Sequence, residues 1–121
     1  MSEGEIERFA AERERLNEIV MRYAGTSIKR FYGLDARVYR EGALPRKTKE
    51  LLGLVASLVL RCDDCIRYHT IGCHEAGVED AELEEALSIA LVVGGSIAIP
   101  HLRRALEAWD ELRGAADGDP A

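Results

Sequence analysis

Residues 51–60, Leu-Leu-Gly-Leu-Val-Ala-Ser-Leu-Val-Leu, carry no charge and would be apolar on nearly every side of a helix. A helix without a polar face does not lie on a free surface, so this one belongs in the middle of a core or in a contact between subunits. It is also only half the roughly 20 residues needed to cross a bilayer. Gly53 and Ala56 inside it let neighbouring helices approach closely. Gly42-Ala43-Leu44 forms the turn before it, and Pro45 suits its first position, where the missing proline N–H is not needed.

The rest of the chain supplies helices to pack around this one. Ser2 and Glu5 match the S-x-x-E capping box, and Ile6, Phe9, Leu16, Ile19, Val20 and Tyr23 then recur at helical spacing, which predicts a helix over about 3–24. Gly25-Thr26-Ser27 stops it and offers a new cap. A second helical pattern runs through Ile28, Phe31, Tyr32, Val38 and Tyr39, with Gly33 and Asp35 as interruptions. A break near Arg61 separates the apolar helix from a fourth that starts at about Cys62 and ends at Ala76-Gly77. Glu79 or Asp80 opens a fifth, with Leu83, Ala86, Leu87, Ala90 and Leu91 on one face, ending near Gly94-Gly95. A last helix has Pro100 in its first turn and carries Leu102, Leu106, Trp109 and Leu112; from Gly114 the composition reads as a tail. With no repeat and no strand pattern, the expectation is an all-α, single-domain bundle of five to six helices over 1–113, followed by a flexible tail over 114–121.

Charge narrows the function. A formal net charge of −6 repels phosphate backbones and anionic lipid, so neither nucleic acid nor a membrane surface is an expected partner. The N-terminus lacks the basic start and apolar core of a signal peptide, and the chain reads as cytoplasmic. Cysteines in that compartment serve catalysis or metal binding more often than structure. Hydrophobic residues make up 47% of a short chain, enough for part of the apolar surface to be buried between subunits.

Reactive side chains concentrate in Arg61-Cys62-Asp63-Asp64-Cys65-Ile66-Arg67-Tyr68-His69. At about 100° per residue, Cys62, Cys65, His69 and Cys73 share one helix face. Cys62 and Cys73 are nevertheless about 16 Å apart along it, too far to ligate one zinc ion. A cysteine pair at i and i+3 brings its Cα atoms to roughly 5 Å, within the window of a disulfide that opens and closes with little backbone movement. Redox chemistry, a metal clip and inert packing are the alternatives for this pair. Cys62, nearer the helix start, has the better dipole, while Cys65 has the better base in His69 one turn later. Asp63 and Asp64 between them place negative charge where it opposes thiolate formation. Glu50 would lie about 18 Å from Cys62 in a straight helix, but a reversal near Arg61 brings it within roughly 8 Å of His69 along the axis, a gap that two side chains and a water cover. A relay therefore needs that break, or a Glu50 supplied by another subunit. Cys73 and His74 read as bystanders, with Cys73 a conceivable auxiliary thiol, His101 as structural or exposed, and Trp109 as packing.

Glu50, Cys62, Cys65 and His69 together spell E-x11-C-x2-C-x3-H, which resembles the signature of the alkylhydroperoxidase D-like branch of the carboxymuconolactone decarboxylase family. Gly42-Ala43-Leu44, Ala86-Leu87 and Gly94-Gly95 resemble that family's flanking turns and helix, so the likeness covers roughly residues 42–109. The resemblance implies an all-helical subunit assembling into trimers, hexamers or similar rings. It further implies a peroxiredoxin-type oxidoreductase in which Cys65 attacks a hydroperoxide and passes through a sulfenic acid, and Cys62 resolves it to a disulfide. Glu50 and His69 would relay the proton, and a separate thiol protein, lipoyl or thioredoxin-like, would reduce the pair. No cofactor or metal is implied, and no nucleotide or flavin motif is present. Two other readings stand beside this one: lactone decarboxylation or a related proton transfer, and a non-enzymatic redox sensor.

Overall fold

The computed structural model describes residues 4–117, which form six α-helices and one 3₁₀ turn, with no strand among the described residues. They are α1 (Glu5–Tyr23), α2 (Thr26–Val38), α3 (Arg46–Leu60), α4 (Asp63–Glu75), α5 (Asp80–Gly94), the turn Ser96–Ala98, and α6 (Ile99–Asp117). The all-α bundle expected from the sequence is the fold found.

Its core lies where α3, α4, α5 and α6 pack together. Leu54 and Leu58 of α3, Ile66 and Cys73 of α4, Leu83, Leu87 and Ala90 of α5, and Ala105 and Trp109 of α6 are all buried there. The apolar helix α3 is central but not covered on every side. Its Gly53, Leu54, Ser57 and Leu58 face inward, whereas Leu52, Ala56 and Leu60 are exposed in the single chain. Trp109 packs as expected: it is buried, its indole N–H donates to Asp80 Oδ1 at 2.8 Å, and His74 meets its ring edge-on.

Several boundaries differ from the sequence reading, each for a physical reason. Helix α1 begins at Glu5 with Gly4 as its N-cap, and its free Ile6 N–H is taken by the Glu111 carboxylate of α6, at 2.9 Å to Oε2. Ser2, the expected cap, lies outside the described residues. Helix α2 runs unbroken through Gly33 and Asp35, which point to solvent; an exposed mid-helix glycine costs only about 1 kcal/mol. Lys49 holds the end of this helix and the chain just beyond it, its ammonium donating to Val38 O at 2.8 Å and Arg40 O at 2.7 Å. Pro45 is the N-cap of α3, one residue before the position expected for it. Helix α6 continues to Asp117, past Gly114 where the tail was placed, and residues 118–121 lie outside the described part. Among the described residues no helix is long and apolar enough to cross a membrane.

Candidate active site

The break near Arg61 is where the site begins. Arg61 ends α3 in the left-handed conformation, φ 60° and ψ 40°, and its N–H and that of Cys62 turn back to the carbonyls of Leu58 and Ser57. The chain reverses within two residues, and α4 returns alongside α3. Cys62 becomes the N-cap of α4, its Sγ accepting from the Cys65 N–H at 3.3 Å. Cys62 and Cys65 are joined by a disulfide, with Cα atoms 5.3 Å apart. Cys62 is half-buried, while Cys65 is exposed.

Cys65 opens onto a cavity of about 690 Å³ between α1, α2 and α4. Phe9, Leu16, Phe31, Tyr32 and Tyr68 give it an apolar and aromatic lining, and His69 also reaches it. The guanidinium of Arg13 lies over the Tyr68 ring, 4.2 Å from its centre.

Behind His69 stands Glu50. The reversal at Arg61 brings the two into direct contact: His69 Nδ1 lies 3.0 Å from Glu50 Oε1, and both side chains are buried. The water allowed for in the sequence reading is not needed, and neither is a second subunit. Two glycines account for the closer approach. A Cβ on Gly53 would stand 2.8 Å from His69 Cε1, and one on Gly72 would overlap the Glu50 carboxylate. Arg46 Nε, 3.6 Å from Glu50 Oε2, supplies a counter-charge one helical turn before it.

The far side of the imidazole is also engaged. Tyr39 Oη lies 3.3 Å from His69 Nε2. Burial, followed by the charges of Asp35 and Glu50, pushes the Tyr39 hydroxyl above its ordinary pKa, so it keeps its proton. Toward Glu50 as a carboxylate, which only accepts, His69 donates through Nδ1–H, and it accepts from the tyrosine at Nε2. The result is a chain Tyr39–His69–Glu50 that fixes the tautomer and orientation of the ring. With the cysteines joined, Nε2 faces Tyr39 as partner rather than a thiol.

The remaining candidates fall outside this chain. Cys73 is fully buried in the core, where burial and then the charge of Glu50 push its thiol up to about 12, so it acts as a small apolar residue. Asp63 is not the bare charge expected between the cysteines: Oδ1 lies 2.7 Å from His101 Nδ1 and Oδ2 lies 3.0 Å from Arg104 NH1. Burial raises its carboxyl, but the hydrogen bond from His101 and the charge of Arg104 outweigh that and hold it below the usual aspartate value. Asp64 is exposed, with Arg67 3.8 Å away. Among the described residues, no three His, Cys, Asp or Glu side chains gather where one metal ion could be held.

Sequence reasoning passed over Tyr39, Arg46 and Arg104, and left His101 without a partner. Tyr39 lies thirty residues from His69, and only the packing of the segment after α2 against α4 joins them. His101 and Arg104, three apart on α6, did carry a signal as a basic pair on one face, but nothing in the chain says which acid they meet.

Known proteins resemble this chain in sequence and in fold. Residues 27–108 match the carboxymuconolactone decarboxylase family. A crystal structure of a Thermotoga maritima protein superposes with a TM-score of 0.89 at 57% identity, covering 92% of this chain and 97% of that one. A second Thermotoga maritima structure, of a carboxymuconolactone decarboxylase family protein with a suggested part in an antioxidative response, gives 0.84 at 58% identity, covering 93% and 96%. A family protein from Legionella pneumophila shares the fold at 24% identity, with a TM-score of 0.82 and coverage of 88% and 96%. An uncharacterized protein of the cox locus of Paracoccus denitrificans is 33% identical over 93 residues, 76% of this chain and 84% of that one.

Proposed function

This chain belongs to the carboxymuconolactone decarboxylase family, and on that premise we propose that it is a thiol-dependent peroxidase cycling Cys62 and Cys65 between dithiol and disulfide. The observation that carries the reading is the placement of an exposed, disulfide-forming cysteine at the first turn of a helix, on a cavity that also holds a histidine bonded to a buried glutamate. The helix N-terminus favours a thiolate, and only the thiolate is nucleophilic.

In the proposed cycle His69 takes the proton of the Cys65 thiol, and Glu50 stabilises the imidazolium. The Cys65 thiolate attacks the outer oxygen of a hydroperoxide. The O–O bond breaks, the alkoxide leaves as an alcohol with the proton returned by His69, and Cys65 becomes a sulfenic acid. Cys62 attacks that sulfur, water departs, and the disulfide forms. A dithiol on a lipoyl or thioredoxin-like protein then supplies two electrons and two protons to reopen it. The aromatic lining of the cavity suits an organic hydroperoxide. The role suggested for the Thermotoga maritima relative points the same way. Assembly into a homo-oligomer and action in the cytoplasm belong to the same proposal, the former supported by apolar side chains left exposed on α2 and α5.

The test is intact-mass spectrometry of the reduced protein after one equivalent of hydroperoxide, with peptide mapping. Loss of two hydrogens mapped to Cys62–Cys65, abolished in Cys65→Ser, is the expected result. Thiols that persist under peroxide would overturn the reading and turn attention to proton transfer by Glu50 and His69.

A further inference from the structure

Asp63 occupies an unfavourable place for a chain that must ionise a thiol. It follows the N-cap Cys62 directly and precedes Cys65 by two residues, so a bare carboxylate there, itself favoured by the helix dipole, would offset that positive field at the cysteines and repel the thiolate. Yet both of its oxygens are taken by α6, Oδ1 by His101 at 2.7 Å and Oδ2 by Arg104 at 3.0 Å. The acceptor-only carboxylate requires the His101 Nδ1–H to be the donor. His101 is largely shielded from solvent, with 17% of its side chain exposed, so this contact is less screened than a surface ion pair. The neighbouring Asp64 shows the contrast: 84% of its side chain is exposed, and water screens it.

We propose that Asp63, His101 and Arg104 form a charge-cancelling clamp that ties the first turn of α4 to α6 and keeps Asp63 from opposing ionisation of the cysteine pair. The three are positioning residues, and the inference rests on the dithiol cycle proposed above. The clamp has a second consequence in the same place. When a reducing dithiol opens the Cys62–Cys65 bond, the covalent restraint on this turn disappears. The contacts from α6 remain, and they hold the two sulfurs close enough for the disulfide to re-form.

The experiment measures the rate of iodoacetamide alkylation of the reduced full-length protein against pH, with peptide mapping to separate Cys62 and Cys65 from the core Cys73. Arg104→Gln is expected to slow alkylation of the pair at neutral pH by about threefold or more and to move the profile upward, a modest shift because Arg104 is partly solvated. Asp63→Asn is expected to react at least as fast as the parent, and the Arg104→Gln, Asp63→Asn double variant to return to the parent profile, since acid and base are removed together. Arg104→Met gives the same direction should Arg104→Gln not fold. Coincident profiles for Arg104→Gln and the parent, or a double variant as slow as Arg104→Gln, would overturn the clamp while leaving the dithiol cycle standing. A parent protein that forms no Cys62–Cys65 disulfide with hydroperoxide removes the cycle and the clamp with it.

Discussion

Glu50 and His69 meet because Gly53 and Gly72 lack side chains where each faces the other's helix, a Cβ on Gly53 meeting His69 and one on Gly72 meeting Glu50. Glu50 cannot simply swing aside, since it is buried and held by His69 and Arg46. A methyl group at position 72 should therefore displace the carboxylate from the imidazole. Gly72→Ala is expected to cost about 1 kcal/mol net in thermal unfolding, overpacking partly offset by the better helix propensity of alanine. Under the proposed cycle peroxide turnover should fall further, by about tenfold or more, because the relay proposed for Glu50 and His69 would be broken. The control is Gly33→Ala on the exposed face of α2, where an added Cβ meets nothing; it should stabilise by about 0.5–1 kcal/mol and leave turnover alone. Equal effects on turnover from the two substitutions would contradict the argument. The contrast also marks what the sequence allowed at this scale. The approach of Glu50 to His69 was legible because their spacing, once the chain reverses, places them at nearby levels of facing helices. Tyr39 and Arg104 were not, because a hydrogen bond between side chains thirty or forty residues apart leaves no local periodicity.

At the scale of elements, the site depends on the two-residue reversal between α3 and α4. The chain uses Arg61, not glycine, for the left-handed step, and a Cβ in that conformation costs roughly 1–2 kcal/mol. Arg61→Gly removes that cost at some price in unfolded-state entropy, and a net gain of about 0.5 kcal/mol is expected in chemical denaturation. Rates of disulfide formation should stay at the parent value, because the Cys62 and Cys65 backbone is unchanged; a slower rate would mean that the arginine itself acts on the dithiol. The break was readable from the apolar run ending where the charged, cysteine-bearing stretch begins. Other boundaries were hidden because their determinants are distant. The start of α1 depends on Glu111, 105 residues away in sequence, and α6 passes Gly114 because one glycine is too weak a signal to end a helix.

Across the whole molecule, apolar surface is distributed unevenly. The buried core lies among α3 to α6, yet Leu60 at the end of α3 is 76% exposed and Val92 near the end of α5 is 86% exposed. These helix ends are neighbours, since a Cβ on Gly94 would touch Val59, so Leu60, Val92 and Val93 lie toward one end of the bundle. A second apolar surface is α2, which buries no residue and exposes Ile28, Phe31, Leu34 and Val38. Contiguous apolar patches on a small chain mark contact surfaces. Phe31 also lines the cavity below Cys65, so a copy of the chain laid on α2 would narrow the mouth of that cavity. Assembly through α2 would then bear on access to it. If copies associate through the α5 end, Val92→Glu should shift the sedimentation velocity profile toward smaller species and weaken the dependence of melting temperature on protein concentration. A change from valine to a charge at a free surface would do neither. An unchanged profile for Val92→Glu, set beside a disrupted one for Phe31→Glu, would move the interface from α5 to α2 and make access to the cavity depend on the oligomer.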